Sequence, residues 1–374
     1  MFRTKRDHAP TSWRHFDFWL LGAVTLLVIF GATMIRSAVA GNIELVELNL
    51  VNRQLIFAGI GFVIMLLVAA IDYRLWSSVS RPMMIFTVGV LATLFIVGAA
   101  VFGSARWFDT GVILIQPSEL AKIVLILVLA DFFAKNQHRI GDLTTVGRSL
   151  LITMLIVGWI LAQPNLSTSI VMMVLWFALL WASGLRLKHL FMFIGLGAIL
   201  PIVSFPFLVD YQQRRIVNFL FPDPNASYGE TYNLQQALIS IGSGGLLGQG
   251  YGHGTQVQLR FLKVRWSDFI FSSMAQEFGF VGVVVILALL LFVILRCLRA
   301  ARLARDTYGA LIAFGVATML SFQAIVNIGV NLNLMPATGL TLPFVSYGGS
   351  SLLSALVGVG LVESVVLRHK ALEL

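Results

Sequence analysis

The sequence predicts an all-α integral membrane protein with about ten transmembrane helices and a large extracytoplasmic loop between helices 7 and 8. Three observations carry that prediction. Of 374 residues, 58% are hydrophobic and only 11% are charged, with a mean hydropathy of +0.89; a soluble domain is roughly half apolar and about a quarter charged. The charges are also clumped, with none over 54–71, 82–105, 149–185 or 307–362, and about 18 uncharged, mostly apolar residues suffice to cross a bilayer. Finally, Lys and Arg are distributed unequally between the two sides that such spans define.

The predicted spans are 17–35, 54–72, 83–103, 114–134, 148–163, 166–184, 189–207, 269–295, 308–332 and 342–366. An even number puts both termini on one side. That side then holds 17 of the 26 Lys and Arg residues and the opposite side 8, with Lys122 inside a span. Short loops rich in Lys and Arg stay in the cytoplasm. Both termini are therefore expected to be cytoplasmic and the loop of about 208–268 outside, within one polytopic domain covering 1–374. The net charge of +9 reflects this asymmetry. Basic residues at helix ends anchor against anionic membrane lipids, and no continuous basic face suggests a nucleic-acid partner. Cys297 is the only cysteine, which excludes an intramolecular disulfide and a thiolate metal cluster. The first span is too long for a cleavable signal peptide and reads as a retained helix.

The first three spans are apolar packing or lipid-facing helices. The second outside loop runs from Gly103 through Arg106-Trp107 to Gln116-Pro117-Ser118-Glu119-Leu120-Ala121-Lys122. Pro suits the first turn of a helix, and the helix dipole favours Glu119 there. Glu119 and Lys122 are three apart and share a face. They read either as an ion pair bracing the bundle or as a substrate-facing pair, since charges within a span usually face a cavity or each other. Arg106-Trp107 reads as an interfacial anchor or a phosphate contact. Gln163-Pro164-Asn165 breaks one helix and starts the next, with Asn165 or Ser167 as cap.

The long loop is too small and too apolar to hold a core of its own with confidence, yet a loop of this length is usually functional or disordered, and this one does not look disordered. It holds Arg214 and Arg215, an apolar–polar pattern over 232–241 that reads as an amphipathic helix on the membrane surface, and glycines at 242, 244, 245, 248, 250, 252 and 254 that permit tight turns or close approach to a ligand. Its modest basic excess suggests an anionic partner such as a phosphate, or lipid headgroups. Asp268 begins the eighth span, as a cap or as a boundary carboxylate facing substrate. Glu277, nine residues on, falls on the opposite face of a straight helix and about 13 Å deeper, which suits packing or hydrogen bonding. Residues 327–351 are uncharged but rich in amides, hydroxyls, Gly and Pro, and predict a broken, re-entrant segment lining a cavity.

Two stretches together carry a family resemblance. Pro336-x-Thr338-Gly339-x-x-Leu342-Pro343-Phe344-x-Ser346-Tyr347-Gly348-Gly349-Ser350 resembles the signature of the SEDS family (RodA/FtsW/SpoVE), and Ser267-Asp268-Phe269-Ile270-Phe271 with Glu277 and Gly279 resembles its second landmark. Arg106-Trp107, the Gln116–Lys122 stretch and Gly242–Gly250 match as well, so the resemblance covers essentially the whole chain. Gly252–Gln256 is more similar to the elongation branch than to the division branch.

The resemblance implies a peptidoglycan glycosyltransferase that polymerises lipid II into β-1,4 glycan strands at the outer face of the cytoplasmic membrane, with a class B penicillin-binding protein as crosslinking partner. It maps the essential aspartate onto Asp268 and the functional Glu and Lys onto Glu119 and Lys122. Asp268 would act as general base or hold a divalent cation, Mg2+ or Mn2+, at the diphosphate. Arg106, Arg214, Arg215 and Lys122 are expected to steady phosphates, with Ser346 and Gly348 at the substrate. The chain departs from the family at Asn165 and Ser167, where Asp and Gly are usual, and at Trp266-Ser267, where His-Thr is common. The alternatives are a lipid II flippase, which broken helices would also suit, and a non-catalytic scaffold for a penicillin-binding protein.

Overall fold

The computed structural model describes residues 13–40, 48–101, 107–109, 114–223 and 228–369. Ten long helices match the ten predicted spans: α1 (Phe18–Val39), α2 (Leu50–Ala70), α3 (Tyr73–Val101), a hairpin of β1 (Phe108–Asp109) and β2 (Leu114–Ile115), then α4 (Pro117–Lys135), α5 (Leu143–Ala162), α6 (Leu166–Ala182) and α7 (Leu187–Ser204). The loop region contributes α8 (Asp210–Leu220), α9 (Gly229–Gly244) and the single turn α10 (Thr255–Gln258) before α11 (Ile270–Leu303), α12 (Thr307–Asn331) and α13 (Gly349–Leu367). Seven of these helices are long and apolar enough to cross a membrane on length and composition alone. The hairpin, which pairs Phe108 with Ile115, was not expected from the sequence, because strands of two residues leave no periodic trace.

Helix α13 is the axis of the bundle and is buried along nearly its whole length. It lies closest to α2, where a Cβ on Gly360 would sit 2.6 Å from the Met65 carbonyl oxygen. Small residues permit such backbone approach, the usual currency of helix association in lipid. One contiguous core runs from Leu20 on α1 to Val366 on α13.

The segment just before α1 and the residues just after α13 meet at one end of this bundle. The His15 and His369 rings are 5.2 Å apart, the Asp17 N–H donates to Glu363 Oε2 at 3.0 Å, and Arg296 Nε donates to Asp17 at 2.6 Å. The opposite end carries the non-helical segments. There the re-entrant stretch between Asn331 and Gly349 is non-helical as expected. The predicted start of the tenth span at 342 moves to Gly349, since 342–348 is backbone that folds back against the loop before α11.

Two further expectations change. The 232–241 stretch is helical within α9, but it packs on α11 and not as an isolated surface helix: a Cβ on Gly244 would stand 2.0 Å from the Ala275 carbonyl oxygen. The eighth span is not straight. Gly279, at φ 65 and ψ −166, breaks α11 into two helices, and the glycine-rich stretch plugs the break. Gln249 and Gly250 N–H donate to the Gln276 and Glu277 carbonyls at 2.9 and 3.0 Å, and Phe280 and Val281 N–H donate to Gly245 and Leu246 at 2.9 and 3.1 Å. Gly244 and Gly248 therefore serve close approach of backbone to backbone, and Gly245, Gly248, Gly250 and Gly252 take the positive φ of the tight turns expected from sequence.

Candidate active site

The loop ahead of α11 is held by its carbonyls. Trp266 O accepts from the Tyr347 N–H at 2.9 Å and Ser267 O from Ser346 Oγ at 2.8 Å. Asp268 O accepts from Asn327 Nδ2 at 3.1 Å and Asn331 Nδ2 at 2.9 Å. Those two amides are four apart and so share one face of α12. Asn331 Oδ1 in turn accepts from the backbone N–H and hydroxyl of Ser272. Every peptide from 266 to 268 is thus fixed by α12 or by the re-entrant segment, which leaves the side chain of Asp268 to line a cavity.

Asp268 is not spent as a helix cap. The N-cap of α11 is Phe269, with no side-chain cap bond. The Asp268 carboxylate instead accepts from Ser267 Oγ at 2.6 Å and lines a cavity of about 410 Å3. Gly339, at φ +73, passes so close that an added Cβ would lie 3.8 Å from Asp268 Oδ2. Burial pushes the Asp268 carboxyl above the ordinary aspartate value, while the Ser267 hydrogen bond and the positive charge of Arg215 pull it partly back.

The cavity sits where several helices begin. Arg53 and Phe57 of α2, Gln116 and Glu119 at the start of α4, Asn165, Ser167 and Thr168 at the start of α6, Trp266 to Asp268 before α11, and Gly348 to Ser351 at the start of α13 all line it. Of these five helices α6 alone has a side-chain bond from its N-cap residue, Asn165 Oδ1 accepting from the Thr168 N–H at 3.3 Å; the N-cap residues of α2, α4, α11 and α13 make none. Helix N-termini carry partial positive charge and first-turn N–H groups that favour anions. Trp107, Trp266 and Tyr347 add flat faces, and Thr338, Thr341 and Ser351 add hydroxyls.

Of the residues expected from sequence, Asp268, Glu119, Arg215 and Gly348 line this cavity. Lys122 lies behind Glu119, fully buried, with Nζ 2.8 Å from Glu119 Oε2. The pair is thus an ion pair within the bundle that presents its carboxylate end to the cavity. Arg215 bonds Glu230 at 2.7 Å and lies over the Tyr211 ring. Arg214 is exposed and is not at the cavity, because the adjacent position on α8 turns about 100° away. Ser346 does not line the cavity: its hydroxyl donates to Ser267 O and accepts from the Leu342 N–H, so it positions the loop. Arg106 lies outside the described residues.

The sequence reading missed Arg53 and Gln54. Arg53 lines the cavity and hydrogen-bonds the Tyr347 side chain. Gln54 clamps the re-entrant segment, donating to Ser346 O at 3.2 Å and accepting from the Gly348 N–H at 3.3 Å. The one available signal was the amide and charge at the very start of an otherwise apolar span. Glu277 has the hydrogen-bonding role expected of it and does not line the cavity. Its carboxylate accepts from Ser37 Oγ on the last turn of α1, because the break at Gly279 tips the first part of α11 over that helix end. Buried Arg265 meets the same helix end through Nε to Ala38 O at 2.6 Å.

Among the described residues no group of three His, Cys, Asp or Glu side chains could hold a metal ion. A single carboxylate nevertheless fits Mg2+ or Mn2+, which keep several waters and take the rest of their oxygens from substrate phosphates.

The buried Glu119–Lys122 pair makes a stability prediction. Lys122→Met strands a buried carboxylate and is expected to cost about 3–5 kcal/mol, read as a lower Tm of the purified protein. The double variant Glu119→Gln/Lys122→Met should recover most of that loss. An unchanged Tm for Lys122→Met would contradict a bracing pair, and recovery of the fold without activity would assign the pair to the substrate.

Residues 16–371 match the FtsW/RodA/SpoVE cell cycle protein family. The chain is 35% identical over 372 residues to the peptidoglycan glycosyltransferase MrdB of Escherichia coli K12, covering 99% of each chain. It is 35% identical to the probable peptidoglycan glycosyltransferase FtsW of Geobacter metallireducens, covering 95% of this chain and 96% of that one. Among solved structures, the rod shape determining protein RodA of Thermus thermophilus superposes with a TM-score of 0.69 at 31% identity, covering 96% and 97% of the two chains. A chain from a peptidoglycan synthase complex, described as coordinating polymerization and crosslinking, superposes with a TM-score of 0.77 at 31% identity over 95% and 98%. With its ten apolar helices, the chain is a multi-pass protein of the bacterial cytoplasmic membrane. On its sequence over nearly its full length, and on its fold, the chain belongs to the FtsW/RodA/SpoVE family.

Proposed function

We propose that the chain is a peptidoglycan glycosyltransferase that polymerises lipid II into β-1,4 glycan strands at the outer face of the cytoplasmic membrane during cell elongation, in complex with a class B penicillin-binding protein. The observation that carries this reading is the carboxylate of Asp268 in a cavity where several helices begin, within a chain similar throughout to enzymes of that name. The Lys and Arg asymmetry supports cytoplasmic termini, which puts the cavity on the outer side.

The donor is a sugar α-linked to a lipid diphosphate, and the acceptor is the 4-hydroxyl of GlcNAc. Asp268 takes the proton from that hydroxyl as the oxygen attacks C1 of the donor. The O4–C1 bond forms, the bond from C1 to the diphosphate oxygen breaks, and its electron pair leaves on the lipid diphosphate. Helix N-termini and Arg53 stabilise the charge that develops there. Arg215, tied to Glu230, contributes its remaining N–H groups. Trp107, Trp266 and Tyr347 offer sugar-stacking faces. A divalent cation bound by Asp268 would supply Lewis-acid neutralisation of the diphosphate.

The assay is polymerisation of lipid II by the purified chain with its penicillin-binding partner and Mg2+ or Mn2+, read by electrophoresis of the glycan. Absence of polymer from the intact complex would overturn the reading; translocation of fluorescent lipid II across sealed vesicles without polymer would favour a carrier. The same assay carries a pH prediction. The base works ionised, and burial raises its pKa above 3.8. The acid limb of the rate should therefore lie above that value, with activity rising as pH rises through the shifted pKa and falling below it. An acid limb at or below the ordinary aspartate value would contradict Asp268 as the buried base.

A further inference from the structure

A second ligand-sized groove lies at the end of the bundle where α1 begins and α13 ends, far from the cavity of Asp268. It has a volume of about 700 Å3 and is bounded by the last turns of α11, the first turns of α12 and Ala182 at the end of α6. Its apolar wall includes Leu298, Leu311 and Phe314, and its polar wall carries Arg302 and Arg305 with Asp306 and Thr307. Nε and Nη2 of Arg305 are shielded from solvent and have no acceptor. A guanidinium buried without acceptors is unfavourable, and an anion with several oxygens removes that cost. The nearest carboxylate, Asp306, is already taken by Arg74 at 3.2 Å, the Tyr73 hydroxyl at 2.9 Å and the Gly309 N–H at 2.8 Å. Neither Arg302 nor Arg305 is in an ion pair among the described residues.

The depth of the groove also bears on its ligand. The uncharged run of α11 ends at Leu295, and Arg296 is paired with Asp17. Arg302 lies about 9 Å further along at helical rise, where phospholipid headgroups follow the hydrocarbon. Uncompensated positive charge beside an apolar wall at that level matches a molecule with a phosphate head and an acyl tail.

We infer that this groove binds one anionic glycerophospholipid of the bilayer, with its phosphate between Arg302 and Arg305 and an acyl chain along Leu298, Leu311 and Phe314. Basic pockets between membrane helices recognise lipid phosphates in this way, and the planar guanidinium fork matches phosphate geometry better than a point charge does.

The test uses the full-length protein, stripped of lipid in detergent and then offered phosphatidylglycerol, phosphatidylcholine or inorganic phosphate. Retained lipid is counted by native mass spectrometry and Tm is recorded in parallel. Wild type should retain one phosphatidylglycerol at least about tenfold better than phosphatidylcholine and melt higher with it. Arg302→Gln/Arg305→Gln should lose both effects, whereas Arg299→Gln, an exposed arginine outside the groove, should keep them. Arg305→Gln alone removes the charge and should lose most of the preference; it decides the matter if the double variant does not fold. Retention by these variants equal to wild type would overturn the inference. So would inorganic phosphate alone reproducing the rise in Tm, which would mark a free-anion site.

Discussion

Asp268→Asn is expected to cut glycan polymer by at least about a hundredfold, the usual contribution of a positioned general base. The substitution keeps the shape of the side chain and an oxygen for the Ser267 hydroxyl, which now donates to Asp268 Oδ1 at 2.6 Å. The backbone anchors at Trp266, Ser267 and Asp268 do not involve the carboxylate. The variant should therefore fold, melt close to wild type and co-purify with its penicillin-binding partner. Polymer at the wild-type rate from that complex would remove the base from the mechanism and revive the scaffold reading. A partial loss that excess Mn2+ restores would shift the weight of Asp268 from proton transfer to cation binding.

Gly279→Ala should produce a large loss of stability. At φ 65 and ψ −166 this residue occupies backbone space that is essentially reserved for glycine. An added Cβ would lie 2.3 Å from the Gly248 nitrogen and 2.6 Å from the Leu246 oxygen, so the plug must move and the four hydrogen bonds across the break are strained together. A cost of about 3 kcal/mol or more is expected, seen as a lower Tm and as reduced polymer, since the loop that carries Asp268 enters this same helix. Gly242→Ala is the control: its Cβ meets nothing within 4 Å, and Ala favours a helix over Gly. Equal melting of the two variants would mean that the break at Gly279 is not a constraint on the fold.

Some of the site was legible from local patterns. Asp268 stood out because a carboxylate at the mouth of an apolar span is costly unless it is used. Glu119 and Lys122 stood out for the same reason; their spacing put them on one face, and the structure supplied the ion pair, one of the two readings left open. Ser346 was misjudged because a hydroxyl in a polar, re-entrant stretch looks available, whereas its bonds go to Leu342 and Ser267. Arg214 was grouped with Arg215 because adjacency in sequence hides the angle between neighbours on a helix. The hydrogen-bonding role read for Glu277 is the one it has, with Ser37 as its partner, while the break at Gly279 just beyond it was not foreseen.

The number and order of the spans were determined by sequence alone, because in lipid each helix must satisfy its own backbone and so needs an uninterrupted apolar run that can be read locally. The positions of the polar loops and their main carboxylate followed from the same bookkeeping of charge. What surrounds that carboxylate was decided only by the tertiary structure. Asp268 depends on Asn327 and Asn331, 59 and 63 residues away, and Ser346 on Gln54, 292 residues away. Non-helical backbone inside a bundle cannot satisfy its own N–H and C=O groups, so it borrows partners from whichever helices pack beside it. That choice depends on the packing of the whole chain and leaves no period in the sequence.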